Sequence, residues 1–170
     1  MREMGRSVSI VMGDDDEDDC LVIKEALSES ELNHTLRIIG SGREMIDYLR
    51  GRGRYEGLDL EYPDLILLDL HMPDLHGREV LKEIREDPDL SRLVVVVLTD
   101  SADWSDLLEC YLLGSTAVFK KKEWLETFAE IIRIAGPYWF EYLTGQLGPG
   151  LRESHTCQMS GTFETDMHMW

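Results

Sequence analysis

The stretch Pro63-Asp64-Leu65-Ile66-Leu67-Leu68-Asp69-Leu70-His71-Met72-Pro73 decides how the chain folds. Its apolar run carries no alternation, so it reads as a strand covered on both faces, the arrangement of a parallel sheet. The run stops at Asp69, which places a carboxylate at the carboxyl edge of that sheet, where open α/β folds hold their ligands. Met72-Pro73 then breaks the extended run, and Gly77 lies just ahead of a helical pattern.

Upstream of this stretch, Val8 to Met12 reads as a first strand closed by Gly13. The acidic run Asp14 to Asp19 leads into a helical pattern with Val22, Ile23, Ala26 and Leu27 on one face. Leu36 to Ile39 is a short second strand, and Gly40-Ser41-Gly42 turns the chain into a helix bearing Met45, Ile46 and Leu49. Gly51 to Tyr62 is Gly-rich and polar and reads as a loop.

Downstream, Val80, Leu81 and Ile84 mark a third helix that Asp87-Pro88 ends. Leu93 to Leu98 is a second continuous apolar run, hence another strand buried on both faces, ending at Thr99. Trp104, Leu107, Leu108, Tyr111 and Leu112 recur at helical spacing, an amphipathic helix stopped by Gly114. Ala117 to Lys120 is a last strand. Trp124, Phe128, Ile131, Ile132 and Ala135 line a final helix, which Gly136-Pro137 is expected to kink or interrupt. Strict alternation of strand and helix implies an α/β fold with a parallel five-stranded sheet and right-handed crossovers. No internal repeat is present. The expected domain covers residues 7–143, and residues 144–170, which show no period, are expected to form a disordered C-terminal tail.

The formal net charge of -17 excludes non-specific binding to nucleic acid or to an anionic membrane surface. The only basic clusters, Arg50 to Arg54 and Lys120 to Lys122, are too short to offset it. Cys20, Cys110 and Cys157 are odd in number and lack metal-type spacing, which points to a reducing compartment. No signal-peptide region and no bilayer-length apolar run is seen, so a cytoplasmic location is expected. His71 and His76 have no third partner at a metal-binding spacing and read as loop residues.

The positions of the polar residues relative to the strands carry the functional reading. Asp14 and Asp15 follow the first strand, Asp69 the third, Thr99 the fourth and Lys121 the fifth. In a doubly wound sheet of order 2-1-3-4-5, strands one and three meet at the topological switch point, so these groups converge on one edge. Carboxylates held together repel unless a cation intervenes, and a hard divalent ion such as Mg²⁺ takes oxygen ligands while keeping waters for an incoming phosphate. A reactive carboxylate, such an ion, a lysine and a hydroxyl are the parts that aspartyl-phosphate chemistry requires.

Gly13-Asp14-Asp15, Asp69-Leu70-His71-Met72-Pro73 with Gly77, Thr99 and Lys121 together resemble the response-regulator receiver domain, from roughly Ser7 to Leu143. Thr99-Asp100-Ser101 and the ending Gly136-Pro137-Tyr138-Trp139 are similar to the small stand-alone receivers that partner bacterial phytochrome kinases. The resemblance implies a flavodoxin-like receiver fold. It implies that Asp69 accepts a phosphoryl group from a kinase phosphohistidine. Asp14, Asp15, Asp69 and the backbone carbonyl of His71 would then hold Mg²⁺. Lys121 would pair with the phosphate, and the Thr99 hydroxyl would bond to it and report its arrival.

The resemblance also implies a signalling protein without an output domain, catalysing only its own aspartyl phosphorylation and dephosphorylation. Its partners would be a sensor histidine kinase of the phytochrome type, or a phosphotransfer protein, and a downstream protein target, with a homodimer also compatible. Nucleic acid and membrane are not among them. Two positions depart from the family: Lys122 stands where proline usually follows the lysine, and Val118 where a switch Tyr or Phe is common. A phosphorylation-independent adaptor of the same fold is the competing reading, and the intact set Asp14, Asp15, Asp69, Thr99 and Lys121 counts against it. A free-standing Mg²⁺-dependent phosphohydrolase would need a further general acid and a substrate cap, and no segment supplies either. Gly40-Ser41-Gly42 does not extend to a nucleotide-binding phosphate loop.

Overall fold

The structure, a computed structural model, describes residues 7–100 and 103–144, with side chains as far as Ile134. In chain order the elements are β1 (Val8–Gly13), α1 (Glu17–Glu29), β2 (His34–Ile39), α2 (Gly42–Arg50), β3 (Leu65–Asp69), α3 (Gly77–Glu86), β4 (Val95–Thr99), α4 (Trp104–Leu112), β5 (Ala117–Lys120) and α5 (Lys121–Thr144). All strand pairs are parallel and the sheet order is β2-β1-β3-β4-β5, as the alternating pattern predicts. In register, Gly13 lies opposite Leu68, Asp69 opposite Leu98, and Thr99 opposite Lys120.

The two unbroken apolar runs are buried along their whole length because helices cover both faces of the sheet. Ile66, Leu68, Val95 and Val97 point to one side, where they pack with Met45 and Ile46 of α2 and with Val80, Leu81 and Ile84 of α3. Leu65, Leu67, Val96 and Leu98 point to the other and meet Ile23 and Leu27 of α1 and Trp124 and Phe128 of α5. Asp16 caps α1 by accepting from the N–H groups of Asp18 and Asp19. Ser41 caps α2, and Gly51 ends it in the left-handed region at φ 60°.

Two expectations need correction. The segment from Gly51 to Tyr62 is not all loop: Gly53–Tyr55 forms a short 3-10 turn. Tyr55 there is buried, its ring edge-on to Tyr48 at 5.2 Å, so one aromatic in a polar stretch fastens the segment to α2. The helix α5 runs through Gly136-Pro137 without interruption; a proline costs one backbone hydrogen bond, and the rest of the ladder continues.

The orientation of α4 is a finding that periodicity leaves open. The helix forms where its periodicity places it, but the stripe faces outward: Trp104 is 76% exposed and Leu112 74%, with Leu108 and Tyr111 also exposed. The opposite side packs instead. Cys110 is fully buried, Leu113 is half-buried against the core, and Arg78 of α3 makes ion pairs with Asp106 at 3.0 Å and with Glu109. A cation on the neighbouring helix thus pairs with two acids of the face that looks polar in sequence.

Among the described residues no helix is long and apolar enough to cross a membrane. The tail expected beyond α5 lies outside the described residues, as do Ser101 and Ala102.

Candidate functional site

Asp69 is the last residue of β3, and the turn after it is held from two helices. A side chain at Gly77 would place its Cβ 2.3 Å from the Asp69 carbonyl oxygen and 2.6 Å from the Leu70 Cα, so only glycine lets α3 begin against the strand end. The Gly77 N–H donates to the Leu70 carbonyl at 2.8 Å. From α2, the Gly42 N–H donates to the Pro73 carbonyl at 3.2 Å, and a Cβ there would lie 1.9 Å from the Leu75 carbonyl oxygen. The Ser41 hydroxyl bonds to the Asp74 carboxylate at 3.0 Å. Asp14 is fixed with equal care: its N–H donates to the Ile39 carbonyl at 3.0 Å, and its Oδ1 accepts from the Asp16 N–H at 2.9 Å.

Lys121 enters from the first residue of α5. Its ammonium lies 2.9 Å from Asp14 Oδ2, 3.1 Å from Asp69 Oδ2 and 2.6 Å from Asp19 Oδ2. Lys121 is 3% exposed, whereas Lys120 and Lys122 face solvent, so the fold turns one lysine of the triplet inward. Asp69 Oδ1 accepts from the His71 N–H at 3.2 Å. Thr99 closes β4 beside β3 and is fully buried. His71 is exposed, with its ring edge-on to His76 at 5.4 Å, while His76 caps α3 by accepting the Arg78 N–H. Both histidines are thus loop and cap residues, as read from the sequence.

The charges do not balance. Burial pushes the Asp14 carboxyl up to about 6, against the opposing pull of the Asp16 N–H and the Lys121 ammonium. Burial raises Asp69 as well, again opposed by Lys121. For Lys121, burial would lower the pKa, but the adjacent carboxylates of Asp19, Asp14 and Asp69 outweigh it and hold the ammonium above its usual range. One cation is shared among three carboxylates.

One carboxylate oxygen from each of Asp14, Asp15 and Asp69 lies within 4.8 Å of the others. The Asp14 Oδ2 is buried and faces the Lys121 ammonium without an aligned hydrogen bond, so it keeps an unused lone pair. An all-oxygen donor set with surplus negative charge and an orphaned buried oxygen fits a hard divalent cation such as Mg²⁺. The Cys20 thiol in the wall, 3.7 Å from the Asp14 carbonyl, is pushed up to about 12, chiefly by burial, and stays protonated.

Every side chain singled out from the sequence therefore sits at this edge, but one participant is missing from that set. Asp19 stands in an acidic run that reads as a helix start, and it is the nearest carboxylate to Lys121. The available signal was its position in the first turn of α1, where side chains tilt back toward the helix N-terminus and so toward the strand edge.

The sequence profile of the response regulator receiver domain matches residues 10–133. The chain is 35% identical over 135 residues to Response regulator Rcp1 of Synechocystis sp., an alignment covering 79% of this chain and 90% of Rcp1. Among solved structures it is similar to the phosphorylated cyanobacterial phytochrome response regulator RcpA, with a TM-score of 0.72, 35% identity, and coverage of 81% of this chain and 96% of RcpA. It is similar also to the Mn²⁺-bound form of Rcp1, with a TM-score of 0.70, 34% identity, and coverage of 79% and 95%. Profile, identity and sheet order agree, and the chain belongs to the response regulator receiver domain family of two-component signalling.

Proposed function

We propose that the domain is a phosphorylation-dependent switch in which Asp69 accepts a phosphoryl group from a kinase phosphohistidine. The observation that carries this reading is the buried Lys121 ammonium lying between the carboxylates of Asp14 and Asp69 at the carboxyl edge of the sheet. An oxygen of Asp69 attacks phosphorus, the phosphorus–nitrogen bond of the donor breaks, and its electron pair stays with the imidazole. Lys121 offsets negative charge on the equatorial oxygens as they pass through the transition state, and the Thr99 hydroxyl donates to one of them.

Asp14, Asp15, Asp69 and the His71 carbonyl are the residues that would hold Mg²⁺, which when bound neutralises charge on the phosphoryl oxygens. The chain's own part is to fix Asp69 through the clamped loop, so that little is left to position during the reaction. Rcp1 in a Mn²⁺-bound form and phosphorylated RcpA support this assignment by similarity. They also favour a sensor kinase of the phytochrome type as the partner, with output through protein contacts. Cys20 and Cys110, free and buried, fit operation in the reducing cytoplasm.

Intact-mass measurement after incubation with acetyl phosphate and Mg²⁺ tests the reading. Wild type gains one phosphoryl group, and Asp69→Asn gains none because an amide is no nucleophile at phosphorus. Equal labelling of the variant would overturn the role of Asp69. Truncation after Gln146 leaves labelling unchanged if residues 7–143 form the working unit.

A further inference from the structure

The position of the Lys121 ammonium raises a problem that Asp19 solves. Two of its three partners, Asp14 and Asp69, belong to the group whose oxygens lie close enough to share a cation, and Asp19 does not. A divalent ion entering that group competes with the lysine for Asp14 Oδ2, and a phosphoryl group on Asp69 takes away the second partner. Asp19 is the only one of the three carboxylates that neither event consumes. It is also the nearest, at 2.6 Å, and its side chain is 24% exposed where those of Asp14 and Asp69 are buried, so its charge needs least desolvation.

We propose that Asp19 is a positioning residue that holds the Lys121 ammonium aside while a divalent cation occupies Asp14, Asp15 and Asp69; this rests on the reading of that cluster as the ion site. The backbone of both partners is fixed. Asp19 is in the capped first turn of α1, with its N–H on the Asp16 carboxylate, and Lys121 is the first residue of α5. Lys121 has three N–H donors, so it can keep one on Asp19 while its ammonium moves away from Asp14 and Asp69. Without Asp19 the ammonium falls wholly on the two carboxylates the ion needs. Asp19 thus favours ion binding, and it draws the lysine away from the phosphoryl group that follows.

These two effects have opposite signs, which separates the proposal from a merely structural role. Calorimetric titration of the full chain with Mg²⁺ should show Asp19→Asn binding the ion about fivefold more weakly than wild type, the lower end of a typical coupling between two sites. At saturating Mg²⁺ the same variant should label with acetyl phosphate at least as fast as wild type. In a Lys121→Met background, Asp19→Asn should leave the Mg²⁺ affinity nearly unchanged. Melting temperatures verify that each variant is folded. Unaltered Mg²⁺ affinity in Asp19→Asn, or equal weakening with and without the lysine, would overturn the proposal, the latter making Asp19 a bare charge. So would a labelling rate at saturating Mg²⁺ that falls along with the affinity. If wild type takes no label at all, the phosphoacceptor reading fails, and the Mg²⁺ titrations still decide the role of Asp19.

Discussion

The ends of β3 and β4 lie side by side, yet the chain that leaves them is held very differently. After Asp69 the backbone is clamped by α2 through Gly42 and Ser41 and by α3 through Gly77, at distances that admit no side chain at either glycine. After Thr99 the chain enters α4, which buries one cysteine, turns four large apolar residues outward, and is tied by the ion pairs of Arg78. Rigidity is concentrated at Asp69, the proposed phosphoacceptor. The neighbouring helix has few buried contacts to lose, which is the physical content of an element that can shift at low cost.

The sharpest way to break this contrast is at Gly77. Gly77→Ala forces a methyl group into the backbone at Asp69 and Leu70, and a loss of about 3 kcal/mol in urea unfolding is expected, with labelling of Asp69 falling too. A loss below about 1 kcal/mol would show that the clamp yields.

The next effect concerns charge inside the clamp. Folded Asp14 takes up its proton near 6, whereas an unfolded aspartate does so near 3.8. Between those values the folded chain binds the extra proton, so the contribution of Asp14 to stability is present in acid and is lost as pH rises from about 4 to about 6. In EDTA at pH 7, Asp14→Asn should therefore be more stable than wild type by about 2 kcal/mol, with the gain vanishing near pH 4. Added Mg²⁺ should reverse the order by stabilising wild type alone. A stability difference that does not change with pH would contradict the buried, raised carboxyl.

A smaller effect is expected across the α3–α4 contact. Arg78→Ala releases Asp106 and Glu109 and should cost about 1 kcal/mol, read as faster hydrogen exchange confined to α4. Protection of α4 that survives the change would mean that Cys110 alone secures it. Smallest of all, Tyr111→Ser on the exposed stripe should alter stability by no more than about 0.5 kcal/mol. A loss of several times that would show that the stripe is covered in solution.

The sheet and most of the site can be read from sequence because both depend on local signals. Two apolar runs without alternation require a sheet covered on both faces, and the residues ending each strand then fall on one edge by topology alone. The direction of α4 is not local. Periodicity reports that Trp104, Leu108, Tyr111 and Leu112 share a face; which way it points depends on contacts outside the helix, where Cys110 is buried and Arg78 of α3 pairs with Asp106 and Glu109. Asp19 is hidden for a related reason. Several acids open α1, and only the placement of α5 beside α1 shows which of them meets the lysine.

The free cysteines give the two regions separate reporters. Cys20 sits under the first turn of α1 beside Asp14, and Cys110 is the residue α4 buries. Burial raises both thiols, so neither reacts with an alkylating reagent until its surroundings open. With Cys157 replaced, the rate of alkylation at each sulfur becomes a clock for the opening of its own neighbourhood. The two clocks run independently on one molecule, Cys20 timing the acidic edge of the sheet and Cys110 timing the helix beside it.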